Sequence, residues 1–166
     1  MNTCRVAILC LVMVTFSLAG CGDPEWTTFT ANDGKFSVMF PGKPKRESSQ
    51  TAGTAYTIKA GGKEFYAAFF DIPPLPRTKD WQMKVLEGGR DGSVQEAGGT
   101  LISSTPGEFL ECTAIDYVAQ VPSSNTVVTS KAFIKGNRIY LMTVVERKEV
   151  AGSPDVAKFF KSFSFQ

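Results

Sequence analysis

Apolar and polar positions alternate with a period of two through most of this chain, the mark of strands with one buried face. Phe36, Val38 and Phe40 share one face of a short strand, after a first one over Trp26 to Phe29 and the turn signal Asn32-Asp33-Gly34. Pro41-Gly42-Lys43-Pro44 ends that strand, and the polar stretch Lys45 to Gly53 begins an extended segment leading into Ala55 to Ala60. Gly61-Gly62 then predicts a two-residue hairpin, with Glu64 to Asp71 as the returning strand. Ile72 to Pro76 carries three prolines and predicts extended connector leaving the sheet.

A helix is expected from Trp81, capped by Asp80, with Trp81, Val85 and Leu86 toward the sheet. Gly88, Gly89 and Gly92 weaken its end, by up to about 1 kcal/mol each, and place its boundary near residue 93. Two strands, Glu96 to Ser104 and Glu108 to Gln120, are expected either side of a Thr105-Pro106-Gly107 turn, followed by a turn at Pro122 to Asn125. Thr126 to Ile134 and Arg138 to Glu146 form the next hairpin pair, with Gly136 and Asn137 expected to supply positive φ. Ser153, before Pro154, caps a last helix whose apolar stripe is Val156, Phe159, Phe160 and Phe163. Antiparallel strands interrupted by one helix and ended by another predict an α+β fold.

Residues 1–20 have a different grammar. Arg5 and the amino terminus precede an apolar run from Val6 to Phe16, broken only by Thr15 and too short to span a bilayer as a helix. The run reads as a secretory signal. Leu18-Ala19-Gly20-Cys21 resembles the bacterial lipobox, which implies diacylglycerol on the Cys21 thiol, an N-acyl chain, and signal peptidase II cleavage between Gly20 and Cys21. Several acyl chains on one residue meet the requirement for stable anchoring. The expected organisation is a signal peptide at 1–20, a tether at 21–25 and one domain at 26–166. Gly22 stands where enteric lipoproteins retained at the inner membrane carry aspartate, so the outer membrane is favoured in a host with two.

Charge and cysteine content narrow the function classes. Loss of residues 1–20 removes one of the 18 basic side chains and none of the 16 acidic ones. The near-neutral remainder has no basic stripe for nucleic acid and no polybasic cluster for anionic lipid. Of four cysteines, Cys4 and Cys10 leave with the signal and Cys21 takes lipid, so Cys112 stands alone and no intrachain disulfide forms. A chain of this length builds its core without staples, and the 13 phenylalanines, all but Phe16 beyond the signal, supply much of it.

No histidine occurs, which excludes Ser-His-Asp and Cys-His machinery and the commonest zinc ligand. Cys112, between Leu110 and Ala114, reads as a buried small hydrophobe in mid-strand. Asp33, Asp80 and Asp155 read as turn, cap and first-turn residues, and no calcium or phosphate loop is present. Arg90-Asp91 is either an ion pair locking the helix end or part of a ligand site. Trp26, Tyr56, Tyr66, Tyr117 and Tyr140 are the aromatics that an exposed binding face could use, most of them expected in the core.

In order along the chain, Trp26, Phe29, Gly34, Phe36, Val38, Phe40-Pro41-Gly42 and Pro44 are followed by Arg90-Asp91-Gly92, Pro106 to Phe109, Gly136 to Leu141 and Phe159 to Phe163. That succession resembles the PsbP-like proteins of bacterial envelopes, over about residues 26 to 165. The resemblance implies the Mog1/PsbP fold, an antiparallel sheet flanked by helices in an α/β/α-type sandwich, on which relatives bind a photosystem in one case and a small GTPase in another. It transfers no catalytic, cofactor or metal residue. The expected role is a lipid-anchored, non-catalytic module that binds or assembles another envelope protein, with a structural lipoprotein or a histidine-independent enzyme as alternatives.

Overall fold

The computed structural model describes residues 25–49, 53–74 and 78–166. Its elements are β1 (Thr27–Ala31), β2 (Phe36–Phe40), β3 (Lys45–Ser49), β4 (Gly53–Ala60), β5 (Lys63–Asp71), α1 (Lys79–Glu96), β6 (Thr100–Phe109), β7 (Cys112–Val121), β8 (Thr126–Lys135), β9 (Arg138–Arg147), α2 (Pro154–Lys161) and β10 (Ser164–Phe165). Seven strands make one antiparallel sheet in the order β3-β4-β5-β9-β8-β7-β6, and β1-β2-β10 make a small second sheet. The chain is therefore α+β, as its patterning predicts.

Register decides what each face carries. Tyr56 lies opposite Ala67, Ala67 opposite Met142, Phe69 opposite Tyr140 and Tyr140 opposite Phe133, so these side chains share one face. That face packs on the small sheet and on α2 through Phe36, Val38, Phe40, Val156 and Phe159. Phe36 is fully buried, with ring centroids 5.1 Å from Phe163, 6.0 Å from Tyr140, 6.2 Å from Tyr56 and 6.4 Å from Phe69. The other face presents Ile115, Tyr117, Ala132, Ile134 and Ile139 to α1, where Leu86 is the only fully buried helix residue among those described. The sandwich thus has α1 on one side and, on the other, a layer built jointly by α2 and the small sheet.

Where the chain turns between paired strands, local chemistry explains the bend. Gly61 and Gly62 adopt φ of 57° and 74° between β4 and β5. Only Gly136 has positive φ in the β8–β9 turn; Asn137 does not share the role expected of it. Gly34 is required for a different reason: a Cβ there would lie 2.5 Å from the Phe36 ring and 2.9 Å from Phe69. Tyr140 donates its hydroxyl hydrogen to the Gly34 carbonyl at 3.0 Å, tying that turn to β9.

Several expectations are corrected. The turn expected at Thr105-Pro106-Gly107 is straight strand, because β6 is an edge where a missing N–H removes no ladder bond. The chain turns instead at Leu110 and Glu111, both with positive φ (50° and 62°), which puts Cys112 first in β7 and not in mid-strand. Helix α1 starts earlier and ends later than expected. Thr78 is its cap, accepting the Trp81 amide, while Asp80 is a first-turn charge. Glu96 belongs to that helix, and Trp81 is only half-buried. Ser153 precedes α2 as expected, but its hydroxyl donates to Glu146 Oε1 at 2.5 Å in place of capping. Phe163 lies past α2, in the lead to β10, a two-residue strand too short to announce itself by periodicity.

Truncating the ring at the centre of the aromatic face tests this packing. Phe36→Ala is expected to cost about 3–5 kcal/mol in urea unfolding.

Candidate functional site

Leu18, Ala19, Gly20 and Cys21 lie outside the described residues. Cys112 lies within them, 8% exposed, its Sγ donating to the Leu110 carbonyl at 3.4 Å. Burial pushes its thiol above the ordinary range, with nearby Lys135 opposing only in part. A nucleophilic cysteine needs the reverse shift.

The carboxylates with resolved shifts all move down, the direction of groups already satisfied. Burial alone would raise Asp33, but hydrogen bonds from Tyr56, Arg46 and the Gly34 amide outweigh it. Arg138 holds Asp71 low through contacts of 2.7 and 2.9 Å, with its guanidinium 4.5 Å from the Phe69 ring centroid. Glu64 is lowered by Lys59 and by the Tyr66 hydroxyl, while burial and Glu64 together keep Tyr66 protonated. Glu146, 1% exposed, accepts from Ser153 and from the Gly152 amide, so it latches the loop before α2 to β9. Among the described residues no group of three His, Cys, Asp or Glu side chains is placed to hold a metal ion.

Among the described residues, larger concavities lie at three places. A cleft of about 330 Å³ lies between β6–β8 and the start of α2, floored by the Asp116–Lys131 pair (2.5 Å) and walled by Val156 and Phe160. A wider one of about 530 Å³ passes Cys112 and Gln82, with the exposed Lys79–Glu108 pair across it. The third, about 250 Å³, is an apolar groove between α1 and the sheet, walled by Phe70, Leu86, Ile139 and Leu141. Arg90 stands in its wall, with Nε 2.7 Å from Asp91 and Nη1 2.7 Å from Ser104 of β6. The Arg90–Asp91 pair lies within α1 and ties it to the edge strand; it does not lock a helix end.

Of the five aromatic candidates, Tyr56, Tyr117 and Tyr140 are core, while Trp26 and Tyr66 are half-buried. Trp26 packs edge-on against Phe65 at 5.5 Å and carries Lys158 over its ring at 4.6 Å. Sequence patterning did not reveal the α1 groove. The available signal was small side chains, Gly89 and Ser93, recurring with Leu86 on one stripe of a helix.

Two outcomes follow from these shifts. Cys112 in the native protein should react with iodoacetamide at least about tenfold more slowly than after urea unfolding, read at its own peptide by mass spectrometry. Asp33 has a depressed folded-state pKa, so its contribution is present above the unfolded value near 3.9 and lost as pH falls through the folded value. Melting temperature should therefore fall less steeply below about pH 4 in Asp33→Asn than in the wild type.

Comparison with known proteins bears on the fold. The sequence matches no protein-family profile and no curated protein. Among solved structures, the chain is similar to the solution structure of cyanobacterial PsbP (CyanoP) from Synechocystis sp. PCC 6803, with a TM-score of 0.58. The likeness covers 90% of this chain and 98% of that one, at 10% sequence identity. At that identity the similarity speaks for architecture alone, and the chain has a PsbP-like fold.

Proposed function

We propose that this chain is a lipid-anchored, non-catalytic module of the bacterial cell envelope that binds or assembles another envelope component. The observation that supports the non-catalytic part is that the resolved shifts of the thiol and the carboxylates run opposite to those a nucleophile or a general acid needs. The Cys112 thiol is pushed up, and Asp33, Glu64, Asp71, Asp91, Glu108 and Glu149 are all pushed down. General acids require carboxyls raised toward neutrality and nucleophiles require depressed thiols. These six carboxylates are held in their ionised form by neighbouring donors.

The anchor rests on the lipobox-like Leu18-Ala19-Gly20-Cys21, four residues before the first described residue. No helix among the described residues is long and apolar enough to cross a membrane. Acyl chains on Cys21 would then hold the domain at the bilayer, each buried methylene adding about 0.8 kcal/mol. Gly22 in the second mature position favours the outer membrane where two membranes exist. The PsbP-like fold supports the binding role as an architecture of the kind expected for such a module.

Metabolic labelling with a palmitate analogue tests the anchor. The wild-type chain should incorporate label and sediment with membranes, whereas Cys21→Ala should lose the label and move to the soluble fraction. Equal labelling of both would overturn the proposal.

A further inference from the structure

The groove beneath α1 is an unusual place for a void. An 18-residue helix lies across strands whose facing side chains are Ile115, Ala132 and Ile139, a surface that large apolar helix residues would ordinarily fill. Among the described helix residues only Leu86 is fully buried there, with Met83, Val85 and Val94 packed partly buried against the same cluster. One turn on, the groove opens along Gly89 and then Ser93, both exposed at its rim, and a Cβ built on Gly89 meets nothing within 4 Å beyond its own helix. A leucine or methionine at 89 would gain helix propensity of about 1 kcal/mol and cover apolar surface. The chain instead leaves an apolar groove of about 250 Å³ open to solvent along this rim.

The walls say what would fit. Phe70, Leu86, Ile139 and Leu141 offer apolar contact, and the polar groups in the wall are Arg90 and Ser93. Arg90 has only 14% of its side chain exposed, and its charge is already matched by Asp91 at 2.7 Å. An entering anion would lose its hydration without meeting an unmatched cation, which is costly. A neutral acceptor faces no such cost, because Nε and Nη1 are engaged by Asp91 and Ser104 while Nη2 has no protein partner among the described residues. We infer that the α1 groove is a binding site for a small uncharged amphiphile, an aromatic ring or short alkyl body carrying one carbonyl or ester oxygen toward Arg90. The site is independent of the anchor: loss of labelling at Cys21 and loss of binding here are separate results.

Methyl-resolved NMR of the full lipidated chain in phosphatidylcholine nanodiscs tests it, with methyl benzoate as probe and benzoate as its charged counterpart. Free probe concentrations are calibrated against protein-free nanodiscs. Saturable shifts at the methyls of Leu86, Ile139 and Leu141 are expected with the ester, and none at Val38 or Val144 in the opposite core. Benzoate should bind at least about tenfold more weakly, and Gly89→Met should abolish the shifts while keeping the Val38 and Val144 signals of folded protein. Gly89→Ala, a smaller intrusion on a site with room for it, should retain binding at reduced affinity. No saturable shift in the wild type, shifts that survive Gly89→Met, or equal binding of benzoate would overturn the inference.

Discussion

The stacking of the Phe36 ring on Phe163, at 5.1 Å and 17° between planes, is the contact on which the architecture depends. Phe36 belongs to the small sheet, and Phe163 leads from α2 into β10, which pairs with β2 across Ser37 and Phe36. The first small-sheet strands of the described fold and its last strand are thus joined beside one buried ring. That ring in turn meets Tyr56 and Phe69 of β4 and β5 and Tyr140 of β9. Each such aromatic pair contributes about 0.5–1.5 kcal/mol beyond the area it buries, so several on one residue weigh heavily against the marginal stability of a domain. The small sheet has three strands, one of only two residues, and holds its place through these rings.

The two faces of the large sheet are built differently as a result. The aromatic face is closed by interlocking rings, by the Tyr140–Gly34 hydrogen bond and by the Glu146 latch on Ser153. The α1 face has one fully buried helix residue among those described, three glycines in the helix and a groove under it. The α1 face is the more open of the two, and the proposed small molecule would have room there. This asymmetry separates a tightly closed side from a more open one on the same sheet.

Strand pairs and the second helix start were legible because their signals are local: Gly61-Gly62, Gly136 and Pro154 act within a few residues. The misplaced turn shows what is not local. Pro106-Gly107 carries turn chemistry, yet it sits in an edge strand that tolerates proline, while Leu110 and Glu111 make the turn with no compositional sign. Asp80 looked like a cap and Thr78 was the cap, one helical half-turn earlier. For the site, Arg90-Asp91 stood out in the sequence as an ion pair or ligand group, and Arg90 lines the groove. The groove itself needed the register of β7, β8 and β9 against α1, which no single-strand pattern encodes. Cys21 is the converse, a residue whose proposed chemistry is carried by its sequence context alone.

Native-state hydrogen exchange measures the asymmetry of the two faces directly. Amides of β2 and β9 should share the highest opening free energy, that of global unfolding, while amides of α1 around Gly89 open at a distinctly lower one. Protection of α1 equal to that of β9, or opening of β2 before α1, would contradict a fold held together by the aromatic face.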